Sequence, residues 1–315
     1  MKYEGGNWSK IRFVKNFGRP VIGSSVNVYY DPNNPLMAIL EPRLAVGAFL
    51  WLFCAILLLG VGLFFISHVS HRFYKKRKRG IKLDKNSQTI ALMFSQISRH
   101  YDLMNNLMTG FIHKRTRTKA LQLVPFHSDQ KVLDLATGTG DFVFLTLKML
   151  KEIDMVIGVD FTKEMLSIAK NRSRKEKFKN LVSFSLADIT YLPFQTETFS
   201  LCTIGYGIRN VHNPTNVLRE IWRITKESGH LIIVEATPAN NSVVKYLLDF
   251  YFRKVIPIIA KLIFLETNAY RYLAESIAQF PSGQQFVKII KNAGWKKVIH
   301  LSMYYGTVTI FIAKK

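Results

Sequence analysis

The chain has 315 residues, enough for one good-sized domain plus an appendage. Lys and Arg number 44 against 21 Asp and Glu, a formal charge of +23 that suits nucleic acid or an anionic membrane, so the placement of the charge has to decide. Two cysteines, Cys54 and Cys202, exclude a disulfide framework and agree with a reduced compartment for the main domain.

Residues 1–43 are mostly polar. Val26–Tyr30 alternates like a strand, Asp31–Pro35 reads as a turn, and Met37–Leu40 reads as a second strand. This segment resembles the last part of an extracytoplasmic β domain of small membrane proteins, and no activity is assigned to it. Residues 44–67 carry no charge and are rich in Leu, Phe, Val and Ile. At about 1.5 Å per residue they cross a bilayer core of roughly 30 Å, so a single transmembrane helix is expected.

Residues 68–87 form a basic linker, with eight Lys and Arg between Arg72 and Lys85 against the single acid Asp84. The positive-inside rule then puts the downstream domain on the cytoplasmic face of the membrane and residues 1–43 outside. The basic run is explained by topology and anionic membrane lipid, and no nucleic acid is required.

From Thr89 a helical period begins, with Ile90, Met93, Phe94 and Ile97 on one face. Strand-like runs follow at Lys131–Leu135, Met155–Asp160, Leu181–Leu186, Ser200–Gly205, His230–Glu235, Lys297–Leu301 and Thr307–Ala313, alternating with helical stretches. Such alternation argues for an α/β domain at 88–315 built on a mostly parallel seven-stranded sheet. Between Asn240 and Phe280 an apolar, helical insert interrupts the pattern and suits a lid over a greasy substrate.

The run Val132 to Asp141 reads as a buried strand that breaks into the turn Ala136-Thr137-Gly138-Thr139-Gly140 and opens a helix near Asp141. Glycine lets the backbone pass close to a nucleotide-like ligand. A dinucleotide turn would want glycine at position 143, which is Val143. Asp160 ends the second strand, where such folds hold ribose hydroxyls. Together these features favour S-adenosylmethionine (SAM) over NAD. Gly138, Thr139 and Gly140 would face its methionine part, Asp160 its ribose, and Asp188 with Ile189 its adenine. Arg209 is too basic to act as a simple base, since an Arg pKa exceeds about 12. It would orient a water or stabilise a developing oxyanion, or else sit tied to an acid.

Arg99-His100-Tyr101-Asp102-Leu103-Met104-Asn105, Gly110-Phe111-Ile112-His113, the glycine turn, Gly207-Ile208-Arg209-Asn210-Val211 and Tyr270–Ile277 stand in the order of one family. The chain resembles the ubiquinone/menaquinone biosynthesis C-methyltransferases over residues 88–315. The resemblance implies a class I SAM-dependent methyltransferase acting on a ring carbon of a polyprenylated quinol. By it, Arg209 and Asn210 position a water that removes the quinol proton, Thr139, Asp160, Asp188 and Ile189 bind SAM, and Tyr101 and His113 lie near the pocket. Gly205, at a cofactor-contacting position, stands where some members have Ser, and Thr116 where many have Trp. These departures leave a non-catalytic SAM-binding membrane scaffold as the alternative. A homo-oligomer or a quinone-synthesis complex is the expected assembly, and an RNA methyltransferase is disfavoured by the apolar insert. No metal site is expected.

Overall fold

The computed structural model describes residues 9–13, 26–31, 34–40, 85–125, 130–150, 153–175, 179–258 and 268–315. The chain divides into two units, Met1–Ile81 and Lys82–Lys315. In the first, β1 (Ser9–Phe13) pairs antiparallel with β2 (Val26–Asp31), which pairs antiparallel with β3 (Asn34–Leu40). The two expected strands are present, and β1 is an addition that the sequence pattern did not single out. The expected membrane span at 44–67 lies outside the described residues. Among the described helices none is long and apolar enough to cross a membrane.

In the second unit, α1 (Ser87–Ile97) and α2 (Tyr101–Thr109) precede α3 (Ile112–Gln122). There follow β4 (Gln130–Leu135), α4 (Asp141–Met149), β5 (Ile153–Asp160), α5 (Lys163–Ser173), β6 (Val182–Leu186) and β7 (Phe199–Gly205). Next come α6 (Pro214–Ile224), β8 (Thr225–Ala236), α7 (Ser242–Phe250), α8 (Asn268–Gln279), α9 (Gly283–Asn292), β9 (Lys297–Met303) and β10 (Val308–Lys314). The sheet order is β6-β5-β4-β7-β8-β10-β9. Only β10 runs against its neighbours, pairing antiparallel with β8 and β9. All seven strands coincide with the runs read from the sequence.

Both faces of the sheet are covered, which is why its central strands are apolar at nearly every position. Successive residues of a strand point to opposite faces. Leu133 and Leu135 of β4, with Leu231 and Ile233 of β8, join the core on one side with α6 and α9. Val132, Ile232 and Val234 join the core on the other, against α3 and α4. Strand order runs outward in opposite directions from the β4–β7 pair. That divergence opens a crevice beyond the carboxyl ends of these two strands, the place where such sheets bind ligands.

The expected lid takes a different form from a continuous apolar cover. Helix α7 buries none of its residues, and Val243, Leu247 and Phe250 stand exposed. Elsewhere in the insert, Ile256 and, on α8, Tyr270 pack in a small cluster with Met104 of α2, while α1 and α2 line the cavity through Ile90, Phe94 and Tyr101.

Candidate active site

The glycine turn is built for close approach. Gly138 and Gly140 have φ of 56° and 86°, a region where a side chain would strain the backbone. A Cβ on Gly140 would also lie 2.8 Å from the Phe144 ring. The backbone N–H of Gly138 donates to Asp160 Oδ2 at 2.8 Å, and that of Thr162 donates to Oδ1 at 2.8 Å. The strand-end carboxylate is therefore fixed through both oxygens, with the Thr162 hydroxyl and the Phe161 N–H as further donors. Burial raises the Asp160 pKa against the pull of these donors.

Beyond the strand tips lies a cavity of about 710 Å³, within the range of small-molecule sites. Asp160, Asp188 and Ile189 line one part of it beside Phe161 and Met165. That wall offers carboxylate acceptors next to apolar surface, which suits a ribose followed by an adenine. Asp188 Oδ1 accepts from the backbone and hydroxyl of Thr190, both at 2.8 Å, so its carboxyl is held by its own turn. Gly138, Thr139 and Gly140 are not among the residues lining this cavity. The Thr139 hydroxyl donates instead to Asp102 Oδ1 of α2 at 2.7 Å, and Arg172 of α5 bonds the Thr139 carbonyl at 2.8 Å. Arg172 also reaches Asp102 at 3.4 Å and Asp141 at 3.1 Å. The expected cofactor contact at Thr139 is thus, in this structure, a clasp between α2 and the glycine turn.

The far wall is made by Tyr101, Gly205, Tyr206 and Asn210. Tyr101 packs edge-on against Phe94, and burial pushes its phenol pKa upward. These two rings also border a small pocket of about 40 Å³ with a mixed lining, Met93, Tyr270 and Leu273 beside Asn105 and the buried Arg209. Arg209 Nη1 donates to Glu235 Oε1 at 2.7 Å and to the Tyr206 carbonyl at 2.6 Å, while its backbone N–H meets Glu235 Oε2 at 3.1 Å. Glu235 is fully buried and holds Arg209 cationic, its pKa raised above the usual range. Of the two weighed readings of Arg209, the tie to an acid is present, and its Nε–H has no partner among the described residues. Asn210 Oδ1 accepts from the Tyr272 hydroxyl at 3.2 Å, which ties the Tyr270–Ile277 motif to the site.

The two departures from the family pattern are packed over. A Cβ on Gly205 would meet Arg117 Nε and Phe142 Cδ2 at 2.9 Å each, so the space of a side chain is already filled. The Arg117 guanidinium stacks on the Tyr206 ring at 5.0 Å. Thr116 shares a 2.8 Å hydrogen bond with the Tyr206 hydroxyl. Neither position leaves a hole. His113 lies behind this wall, 2.5 Å from Thr109 Oγ1 and 3.8 Å from Asp141, and burial lowers its pKa to about 4.

Sequence reasoning passed over several of these groups. Asp134 accepts from the hydroxyls of Thr137 and Thr203 at 2.6 Å each, joining β4 to β7, and burial raises its pKa to about 6. An acid inside the apolar run Val-Leu-Asp-Leu was its signal. Glu235 had the same signal at the end of Leu-Ile-Ile-Val. Lys85 was counted with the topogenic cations, but the structure sets it in the cavity wall.

Residues 82–315 match the model of the ubiE/COQ5 methyltransferase family. The chain is 33% identical over 234 residues to the ubiquinone/menaquinone biosynthesis C-methyltransferase UbiE of Geotalea uraniireducens, covering 74% of this chain and 99% of that protein. It is 32% identical over 231 residues to a demethylmenaquinone methyltransferase of Bacteroides fragilis, covering 73% and 94%. In fold it is similar to a SAM-dependent methyltransferase of Thermotoga maritima, with a TM-score of 0.50, 19% identity and coverage of 71% and 98%. Ordered family motifs, a class I sheet with its crevice at β4–β7 and a carboxylate-lined cavity agree with these likenesses: the chain belongs to the ubiE/COQ5 methyltransferase family and is a SAM-dependent methyltransferase.

Proposed function

We propose that the protein methylates a ring carbon of a polyprenylated quinol, demethylmenaquinol and/or 2-methoxy-6-polyprenyl-1,4-benzoquinol, in menaquinone or ubiquinone biosynthesis. The carrying observation is the adjacent pair Arg209 and Asn210, Asn210 in the wall of the main cavity and Arg209 in that of a small neighbouring pocket that shares Phe94 and Tyr101 with it. Bound SAM supplies an electrophilic methyl group.

The protein's task is to bind the ring, aim one carbon and manage protons. A quinol carbon becomes nucleophilic when a ring hydroxyl loses its proton. Arg209, kept charged by Glu235, cannot accept that proton. It favours the oxyanion electrostatically and, with Asn210, orients a water as acceptor. Methyl transfer would break the S–CH3 bond and leave S-adenosylhomocysteine as the thioether, and the methylated carbon then gives its proton to water, which restores aromaticity. Ile90, Phe94 and Met165 give the main cavity apolar surface that suits the ring and the start of its prenyl tail. The apolar span 44–67 supports a single-pass anchor with the catalytic domain on the cytoplasmic face. A tether there raises the effective concentration of enzyme beside a lipid-dissolved substrate.

The test supplies detergent-solubilised protein with labelled SAM and each quinol separately, reading products by mass. A methylated ring carbon is expected and identifies the quinone. SAM binding without product from either quinol would overturn the proposal.

A further inference from the structure

Lys85 stands in the wall of the main cavity, just before the capped start of α1. Asn86 caps that helix by accepting the Gln88 N–H at 2.9 Å, which fixes the backbone next to Lys85. Among the described residues no hydrogen bond or ion pair engages its ammonium group. Its charged neighbours are Arg209, from the turn after β7, and Glu235 of β8. Tyr101 of α2, Asp160, Asp188, Tyr206 and His212 share the cavity wall. Glu235 is already committed to Arg209 and to the Ala236 N–H at 2.8 Å. The other carboxylates of that wall, Asp160 and Asp188, accept from donors of the glycine turn and of their own turns and make no ion pair with Lys85 among the described residues.

We infer that Lys85 is a substrate-binding residue whose ammonium receives the ionised ring oxygen of the phenolic substrate. The inference rests on the quinol reading of the function. It adds a second cation to the site: Arg209 favours the oxyanion from the buried side and orients the water with Asn210, and Lys85 contacts the anion directly. Burial and the nearby Arg209 charge lower the Lys85 pKa, which an incoming oxyanion would reverse. An opposite charge within reach favours ionisation of a phenol, lowering its pKa by about 1–3 pH units.

Two readouts test this on the full chain. The first is the ionisation of a bound prenylated nitrophenol, followed by the colour of its anion as pH is varied. Wild type should lower the bound probe's apparent pKa by at least about 1 pH unit relative to free probe, and Lys85→Met should not. Equal ionisation in the two proteins would overturn the inference. The second is the pH profile of methyl transfer. Lys85→Met should lose about a hundredfold in kcat at neutral pH and regain rate as pH rises, with unchanged SAM affinity. Lys85→Arg should retain most of the rate. An unshifted profile in Lys85→Met would also overturn it. If wild type methylates no quinol, the functional reading fails while the nitrophenol readout still decides the role of Lys85. Should Lys85→Met lose SAM binding through misfolding, Lys85→Gln takes its place in both readouts.

Discussion

Removing the Glu235 carboxylate separates what the buried ion pair does for the fold from what Arg209 does for the reaction. Glu235 has no exposed surface and Arg209 is 7% exposed. Glu235→Ala deletes the 2.7 Å ion pair and strands two backbone donors, Arg209 N–H and Ala236 N–H. A buried charge deprived of its partner costs about 3–5 kcal/mol. A domain of this kind holds only about 5–15 kcal/mol in total. Replacing both partners, as Arg209→Met with Glu235→Leu, removes the uncompensated charge and should recover most of that loss. Urea unfolding, followed by fluorescence of the core residue Trp295, measures the three proteins side by side. Methyl transfer and SAM binding are measured in parallel. The double variant should be folded and bind SAM, yet transfer methyl groups at least about a hundredfold more slowly. A loss below about 1 kcal/mol in Glu235→Ala would refute the buried pair. Near-normal turnover in the double variant would refute a role for Arg209 at the substrate.

Asp160→Ala removes the acceptor for the Gly138 and Thr162 N–H groups, and SAM affinity measured by calorimetry should fall at least about tenfold, a loss of some 1.4 kcal/mol. Unchanged affinity would remove Asp160 from the site. Gly205→Ser restores a residue some relatives carry, but its Cβ would sit 2.9 Å from Arg117 and Phe142. It should destabilise by about 1–3 kcal/mol, read as a lower urea midpoint, and should not raise turnover. Two buried groups set opposing pH dependences. Asp134, raised to about 6, is uncharged in both states below about pH 4, so its contribution worsens as pH rises from 4 to 6. His113, lowered to about 4, is neutral in both states above about pH 6.5, so its contribution worsens as pH falls from 6.5 to 4. Each spans about 3 kcal/mol, so the two nearly cancel between pH 4 and 6. His113→Gln should leave stability falling with rising pH in that window, and Asp134→Asn should leave it rising; parallel curves for both variants would contradict the assignment.

The sheet was legible because a strand buried on both faces writes a short apolar run bounded by turn residues, as at Val132–Leu135 and Leu231–Val234. The carboxylates at strand ends were legible because their position follows from the strand. Side-chain partners were not. Nothing local to Arg209 announces Glu235, which lies 26 residues on and meets it only because β7 and β8 are neighbours. Thr139 was read as a cofactor contact because it sits between two glycines, yet its hydroxyl is claimed by Asp102, 37 residues earlier. Lys85 was hidden inside a charge run, where one cation looks like the next. The compensation at Gly205 was hidden too, since the groups that fill its space come from α3 and α4, far away in sequence.

The clasp of Asp102, Thr139 and Arg172 has a consequence for the order of events at the site. Helix α2 cannot swing away from the cavity without first giving up a hydroxyl that belongs to the glycine turn and a guanidinium that belongs to α5. The two charged side chains are 35% and 41% exposed, so dissolved salt weakens their attraction. Any displacement of α2 and the posture of the turn are therefore coupled, and the strength of that coupling depends on ionic strength.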